Sequence, residues 1–137
     1  MKINIVSNKV LSLAIIDKHP PASQDDRGVP SKSDMQALFG ARVEFADDHF
    51  NVLFKAAVYI EEGKCIDLEY QSRFDVDGPV DEEFKAGNFA FVNAPAIAYP
   101  FLRAFISNLT LNAGYSPVML PSINFVAMKE KIKAASL

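Results

Sequence analysis

The feature that most constrains the fold is a helix-period apolar pattern between residues 97 and 109. Apolar residues recur four apart along two adjacent lines, which are Ile97, Phe101, Phe105 and Leu109, and Ala98, Leu102 and Ile106. This spacing predicts one long helix with a broad apolar face. Asn112 and Gly114 favour a helix end, and Pro117 follows where it cannot disturb a finished helix. The helix is therefore predicted to end near Asn112 and to need a large apolar surface to cover it.

Four other segments have the patterns of β-strands. Apolar and polar residues alternate in three runs, 35–45, 52–60 and 66–76, which predicts half-buried strands. Glu62 and Gly63 stand between the last two runs and predict a two-residue hairpin connection. Residues 9–16 alternate imperfectly and predict a strand with two fairly apolar faces.

The remaining segments connect these elements. Residues 19–33 contain prolines, a glycine and small polar residues, which predicts a long crossing loop after the first strand. Residues 81–91 predict a short connector, and residues 119–128 a proline-broken segment before a short C-terminal helix. A sheet with one apolar face needs cover on that face only. The sequence thus predicts an α+β fold in one domain, residues 1–137: a four-stranded antiparallel sheet covered by the long helix and the C-terminal helix.

The composition narrows the class of protein. Of the 137 residues, 50% are hydrophobic and 23% are charged, which predicts one folded domain and excludes disorder. The net charge is −3 and the basic residues are scattered, so the clustered Lys and Arg of a nucleic-acid-binding protein are missing. The single cysteine, Cys65, cannot form an internal disulfide, which favours a cytoplasmic location.

Two apolar stretches could be mistaken for membrane or export signals. Residues 89–106 contain Asn93, Pro95, Pro100 and Arg103, so a buried or interfacial helix is favoured over a membrane span. Residues 10–16 are followed by a histidine and two prolines rather than a small-residue cleavage site, so a strand is favoured over a signal peptide. We therefore expect no membrane insertion.

No catalytic or metal-binding motif stands out. His19, His49 and Cys65 lie in a loop, a turn and a strand, without the spacing of metal ligands. The sequence contains no G-x-S-x-G motif and no glycine-rich phosphate loop. Although catalytic groups can converge from any part of a fold, the sequence predicts a protein that is not an enzyme and needs no metal or cofactor.

A motif in the long helix and the segment after it resembles a known family. The helix has the form N-x-x-x-x-x-Y-P-F-x-R, and a Gly-aromatic turn and P-V-x-L-x-x-x-N-F follow it. The matching residues are Asn93, Tyr99, Pro100, Phe101, Arg103, Gly114, Tyr115, Pro117, Val118, Leu120, Asn124 and Phe125. This pattern is similar to the C-terminal half of SecB, the export chaperone, and the resemblance extends from about Lys9 to about Met128.

The resemblance to SecB implies a homotetramer, a dimer of dimers, that holds unfolded polypeptide in hydrophobic grooves without ATP. The expected client contacts lie around the crossing loop and in the connector: Val29, Met35, Leu38, Phe39, Phe84 and Phe89. For each of them, ordinary packing in the core or at an interface is the alternative. The expected oligomer interface is the helix stripe, because its area exceeds what one sheet can cover: Phe101, Leu102, Phe105, Ile106 and Leu109.

The resemblance leaves three functions open. SecB proteins that serve the motor protein SecA carry acidic residues on the outer sheet face and usually end in an acidic tail. Here the first-strand positions hold Val10 and Ala14, and the sequence ends in KEKIKAASL. These departures favour a chaperone dedicated to one antitoxin in a toxin–antitoxin–chaperone system. General export of preproteins to SecA, through Asp67 and Glu69, is the alternative, and an interaction scaffold without holdase activity is the third.

The charge of the outer sheet face bears on the choice among these functions. The side chains predicted there are Glu44, Glu61, Asp67, Glu69 and Asp75, against Arg42, Lys55 and Arg73. Since these acids and bases nearly balance, we expect weak attraction to a basic segment of a motor protein.

Overall fold

The computed structural model describes residues 2–20 and 36–137 of the chain. Strands β1 (Ile3–Asp17), β2 (Gln36–Phe45), β3 (His49–Tyr59) and β4 (Lys64–Val76) form an antiparallel sheet in the order β1-β4-β3-β2. Helices α1 (Glu82–Ala86), α2 (Ala94–Asn112) and α3 (Phe125–Ala135) follow, and a π-helical turn at Phe89–Asn93 leads into α2. The predicted fold, a four-stranded antiparallel sheet with a long helix and a short C-terminal helix, is confirmed. The predicted helix end at Asn112 is confirmed as well.

One line of the apolar helix stripe forms the core against the sheet. Ala98, Leu102 and Ile106 of α2 have 0% exposed surface, and they belong to one cluster with Phe50 and Phe54 of β3. The alternation in the strands follows from this packing, because only the side chains on the helix side of the sheet enter the cluster. The opposite face of the sheet carries most of the polar and charged strand residues.

The second line of the stripe lies at the margin of the core. Ile97 and Phe101 are 44% and 45% exposed, whereas Phe105 and Leu109 are partly buried against the core cluster. Phe105 packs on Tyr70 of β4, with ring centres 5.6 Å apart. The sheet therefore covers only part of the broad apolar face, and the rest stays on the surface of the described chain.

The long helix has the length and composition of a membrane span. The helical run from Phe89 to Asn112 has 24 residues and is long and apolar enough to cross a membrane by length and composition alone. The buried part of the helix packs against the sheet in a single core cluster. The apolar run is thus explained by its place as the covering helix of an α+β domain.

β1 is longer than the sequence pattern indicates. It runs from Ile3 to Asp17 rather than over residues 9–16, and its pairing with β4 has register shifts between Ile5 and Ser7 and between Val10 and Ser12. An extra residue in one strand changes which of the following side chains face the helices. These irregularities explain why the alternation along this strand is imperfect.

The connection between β3 and β4 is a three-residue turn, Glu61–Gly63, rather than the predicted two-residue connection. Glu62 and Gly63 have φ angles of 63° and 68°, a backbone conformation that tight turns between strands use and that glycine adopts without strain. A Cβ atom at Gly63 would lie 3.0 Å from the imidazole of His19. The Lys18 N–H donates to the Gly63 carbonyl at 3.0 Å, so this glycine lets the end of β1 pack closely on the hairpin.

Candidate functional site

An apolar cavity of about 280 Å³ opens beside β2, between the sheet and the segment that links α2 to α3. The residues that line it are Ala37, Leu38, Phe39, Ala56, Val58, Tyr99, Leu120, Pro121, Ile123 and Met128. We call this set the β2 groove. Its lining is almost entirely apolar, and such a cavity accepts apolar side chains rather than providing groups for chemistry.

Phe39 supplies the floor of the β2 groove. Its ring centre lies 5.4 Å from that of Phe54, 5.6 Å from that of Tyr99 and 6.3 Å from that of Phe125. The contacts with Tyr99 and Phe125 are edge-to-face, an arrangement that aromatic pairs prefer. Phe39 itself is only partly buried, so the groove has a fixed aromatic surface that is open on one side.

Tyr99 contacts both this floor and the wall of the groove, which is the segment between α2 and α3. Its hydroxyl donates to the Pro121 carbonyl at 2.6 Å, so the segment after α2 is tied to the helix. Burial raises the pKa of Tyr99 above its ordinary value. The phenol therefore remains a neutral hydrogen-bond donor at physiological pH.

The segment between α2 and α3 is held at both of its ends. The Thr110 hydroxyl accepts from the Val118 N–H at 3.0 Å and donates to the Ile106 carbonyl at 2.9 Å. The Asn124 side chain caps α3 by accepting from the Ala127 N–H at 3.2 Å. The groove wall formed by this segment thus has a defined position over the sheet.

The main chain of β2 adds polar groups along the groove, because β2 is an edge strand of the sheet. The Ala46 N–H donates to the His49 carbonyl at 2.9 Å. Together with the pairing register, this bond shows which residues of β2 hydrogen-bond to β3. Even-numbered residues of β2 direct their main-chain groups to β3, and odd-numbered residues direct theirs outward. β2 therefore presents a row of outward N–H and C=O groups beside an apolar groove.

One of these outward groups is paired within the chain. The Val43 N–H donates to the hydroxyl of Ser136 at 2.8 Å. Within residues 2–20 and 36–137, no hydrogen bond engages the outward N–H groups of Ala37, Phe39 and Ala41. The end of β2 next to the groove thus has an unused pairing edge in the described chain.

The structure brings two of the predicted client contacts to the groove. Phe39 is its floor, whereas Leu38 points to the opposite face of β2, is 55% exposed and forms a rim. On that outer side, Leu38 also borders a shallow depression with Lys18 and Lys55. Val29 and Met35, which were predicted as client contacts as well, lie outside the described residues.

Phe84 and Phe89 lie in a separate aromatic cluster. The Phe84 ring centre is 6.4 Å from that of Phe45 and 5.7 Å from that of Phe50, and Phe89 is 6.3 Å from Phe50. Phe45 is six residues from Phe39 along β2, a distance of about 20 Å. Phe84 and Phe89 are both partly buried against the core, so the structure does not place them in the β2 groove.

Two residues predicted for the oligomer interface are buried inside the subunit. Leu102 and Ile106 have 0% exposed surface because they lie on the line of α2 that faces the sheet. This corrects their assignment, since a partner subunit cannot reach them without opening the core. The other three predicted residues keep exposed surface. Phe101 is 45% exposed, and Phe105 and Leu109 are partly buried.

The acidic residues Asp67 and Glu69 lie on β4, on the outer face of the sheet, and Glu69 pairs across the strands with Lys55. Glu61, predicted on the same face, instead lies in the hairpin turn, where its carboxylate accepts from the Ser116 N–H at 2.6 Å. The prediction for Glu61 is therefore wrong. Without it, the outer face is even closer to charge balance.

Most of the groove lining was not predicted as a site. The sequence motif contains Tyr99 and Leu120, which could have identified the helix and the wall, and the strand alternation places Ala56 and Val58 on the helix side. Neither pattern shows that a gap remains between them. The opening depends on the path of the segment between α2 and α3, which has no periodic pattern.

Comparison with known proteins gives a consistent family. The family model described as Preprotein translocase subunit SecB matches residues 11–135. Protein-export protein SecB of Roseobacter denitrificans is 27% identical over 112 residues, which cover 74% of this chain and 66% of that protein. The protein of the same name from Jannaschia sp. is 28% identical over 112 residues, covering 74% and 63%. The chain thus spans just under two-thirds of the length of these relatives.

A solved structure shares the fold. The SecB-like chaperone of Mycobacterium tuberculosis, in complex with a ChAD peptide from the HigA1 antitoxin, matches with a TM-score of 0.61 and 19% sequence identity. The match covers 89% of this chain and 88% of that chain. At this identity the likeness establishes the shared architecture.

Proposed function

Because the chain belongs to the SecB family, we propose that it is an ATP-independent holdase that binds unfolded polypeptide along β2. The observation that carries this proposal is the apolar β2 groove beside the outer edge of β2, to which no other strand pairs within the described residues. The groove accepts apolar side chains, and the edge can pair with the main chain of any extended segment. Neither contact requires a nucleotide or a metal, and both tolerate different client sequences.

The energies of these contacts suit reversible holding. Removing one large apolar side chain from water contributes about 1.5–3 kcal/mol, and one main-chain hydrogen bond contributes about 0.5–1.5 kcal/mol net. Ordering an unfolded client opposes both terms. One or two side chains and a few hydrogen bonds therefore support a Kd no tighter than the micromolar range, weak enough for release without ATP.

We propose an antitoxin as the client. The M. tuberculosis relative was solved in complex with a peptide from an antitoxin, and the outer sheet face of this chain offers little net negative charge to a motor protein. General export, with Asp67 and Glu69 contacting SecA, is the alternative, and an interaction scaffold without holdase activity is the third. A toxin–antitoxin gene pair beside the gene of this protein would favour the antitoxin chaperone. Neighbouring genes for protein export would favour the general export chaperone.

The proposed assembly is a cytoplasmic homotetramer, a dimer of dimers. Two apolar surfaces support self-association, namely the exposed line of α2 with Ile97 and Phe101, and the edge strand β1. On β1, Leu13 and Ile15 are 40% and 37% exposed although they lie on the helix side of the sheet. Soluble proteins usually cover a long apolar edge strand of this kind.

Suppression of aggregation tests the holdase activity. A reduced, unfolded client is diluted into increasing amounts of the protein without nucleotide, and light scattering is followed. The scattering should fall as the protein approaches stoichiometric amounts. Unchanged scattering at an excess of the protein would favour the scaffold function.

Co-purification from native cells identifies the client class. Bound proteins are released by denaturant and identified by mass spectrometry. One dominant small partner would support a dedicated antitoxin chaperone, whereas many secretory precursors would support general export. Absence of bound polypeptide, together with unchanged scattering, would reject both chaperone functions.

A further inference from the structure

The side chain of Ser136, at the end of α3, occupies a main-chain pairing position of β2. Its hydroxyl accepts from the Val43 N–H at 2.8 Å and donates to the Ile132 carbonyl at 2.6 Å. A serine hydroxyl has a single proton, so the bond to Ile132 leaves the oxygen free to act only as an acceptor toward Val43. The oxygen therefore stands where the carbonyl of an added strand would bind.

The position of this hydroxyl is fixed by the packing of α3. Phe125 and Ile132 anchor the helix, with 5% and 1% exposed surface. The Ser136 N–H donates to the Lys133 carbonyl at 3.2 Å, which closes the last helical turn. The hydroxyl cannot move away from Val43 unless this turn or the core contacts of α3 are disturbed.

We propose that Ser136 ends the strand-pairing edge of β2, so that a client segment pairs only with the residues before Val43. This inference rests on the proposed holdase function. The paired client segment is then limited to about five residues opposite 37–41, or about 17 Å of extended chain. Because Phe39 lies in the middle of this range, the limit also sets which client side chain enters the β2 groove.

The recognised ligand is an extended apolar segment of unfolded polypeptide. Its main chain supplies partners for the outward groups of β2, and its alternate side chains face the groove. A longer strand would have to displace the Ser136 hydroxyl to reach Val43. Ser136 thus favours short apolar segments over continued strand pairing, which would otherwise extend the sheet.

Three variants separate the hydroxyl from other effects. Ser136→Ala removes the acceptor, Ser136→Thr keeps it, and Ser116→Ala removes an exposed hydroxyl that makes no hydrogen bond in the described chain. Amide hydrogen exchange of Val43, measured by NMR on the free protein, should be roughly threefold to tenfold faster in Ser136→Ala, the range for one lost hydrogen bond. The other two variants should match the natural protein.

Calorimetric titration with two capped peptides then tests the limit on the length of the paired client segment. Each peptide has a central Phe and alternating Thr. One is about five residues long, which matches the free part of β2, and the other is about nine, which would reach past Val43 at the rise of an extended strand. The natural protein and Ser136→Thr should bind both peptides equally well. Ser136→Ala should bind the longer peptide roughly threefold to tenfold more tightly than the shorter one. The longer peptide should also protect the Val43 amide of this variant from exchange.

The results distinguish the inference from the function on which it rests. Binding of both peptides with no length difference in Ser136→Ala would overturn the role of Ser136 and leave the holdase intact. Protection of the Val43 amide by a peptide in the natural protein would overturn it as well. If no variant bound either peptide, the proposed holdase function and the inference would both be rejected.

Discussion

The hydroxyl of Tyr99 donates a 2.6 Å hydrogen bond to the carbonyl of Pro121, and the ring of Tyr99 packs edge-on against Phe39. One side chain of α2 thus contacts both the wall and the floor of the β2 groove. The shape of the groove depends on this double contact, because it fixes the middle of the α2–α3 segment, whose ends are held by Thr110 and Asn124.

Replacing Tyr99 with Phe should weaken both stability and client binding. The Pro121 carbonyl would lose its donor, which should lower the free energy of unfolding by about 0.5–1.5 kcal/mol, as measured by urea denaturation. Client affinity, measured by peptide titration, should fall because the wall is less well held. Tyr115→Phe is the control, since Tyr115 lies outside the groove. Equal losses in the two variants would contradict the role of the Tyr99 hydroxyl.

Alkaline pH should destabilise the protein through two buried phenols. Burial raises the pKa of Tyr70 and of Tyr99, so the folded state favours the protonated form of each. Their contribution to stability is present below about pH 10, the ordinary tyrosine pKa, and is lost as pH rises through the raised values. Urea denaturation over a pH series should show this decline.

A double variant checks the origin of that decline. Tyr70→Phe combined with Tyr99→Phe should lose less stability between about pH 9 and about pH 12 than the natural protein does. A slope that is unchanged in the double variant would assign the alkaline instability to other groups, such as the buried Cys65 thiol, whose pKa burial also raises.

Substitutions at neighbouring positions of β2 should show which face of the strand binds the client. Phe39→Ser and Ile123→Ser alter the β2 groove, whereas Leu38→Ser alters the exposed rim on the other face. Loss of one large apolar contact of about 1.5–3 kcal/mol should weaken client binding roughly tenfold or more in the groove variants. Leu38→Ser should have the smaller effect, and thermal denaturation should confirm that each variant is folded.

The opposite result would relocate the site. If Leu38→Ser abolished suppression of aggregation while folded Ile123→Ser retained it, the client would bind on the outer face of the sheet. The sequence alone predicts that substitutions at Leu38 and at Phe39 both weaken binding. The structure separates them, because adjacent residues of a strand point to opposite faces.

A charge on the exposed line of α2 should disrupt assembly without unfolding the subunit. Ile97→Glu and Phe101→Glu place a carboxylate on side chains that are 44% and 45% exposed. Light scattering should report smaller particles, and circular dichroism should be unchanged. Val126→Glu is the control, because Val126 is 72% exposed on α3 and should tolerate the charge. Leu102→Glu should instead unfold the subunit, since it buries an unpaired charge.

A compact monomer at micromolar concentration in the natural protein would contradict the proposed tetramer. In that case the exposed apolar residues of α2 and β1 would need another partner. The same light-scattering measurement therefore tests the assembly before any variant is made.

The sequence predicts the fold well because the fold depends on local periodicity. The alternation in β2 to β4 and the four-residue spacing in α2 each specify an element and its apolar side. The pattern cannot specify where the sheet stops covering the helix. For this reason Leu102 and Phe101, adjacent in sequence and both apolar, were expected in one interface although only Phe101 is exposed.

The site is less predictable because it depends on contacts between distant segments. Phe39 and Phe84 are similar residues, but one forms the groove floor and the other packs with Phe45 and Phe50. The role of Ser136 requires α3 to cross the edge of β2 at Val43, a contact across 93 positions of sequence. A single sequence contains no periodic signal for such a contact.

Binding to SecA is expected to be weak, because the charges on the outer sheet face are largely neutralised there. The Arg73 Nε lies 2.8 Å from Oδ1 of Asp75, and the Arg42 Nη2 lies 3.3 Å from Oε1 of Glu44. At physiological salt the screening length is about 8 Å, so few uncompensated charges remain to attract a basic segment. Exposed ion pairs add little stability, but they reduce the net field that a partner experiences.

A titration with the isolated metal-binding tail of SecA decides between the antitoxin and export functions. We expect no saturable binding at micromolar concentrations. The alternative is that a tetramer brings Asp67 and Glu69 of several subunits together and forms an acidic surface that one chain lacks. Sub-micromolar binding that weakens with salt, and that is lost in Asp67→Asn with Glu69→Gln, would support that alternative. It would overturn the preference for a dedicated antitoxin chaperone, because a chaperone that binds the motor through these residues is equipped for general export.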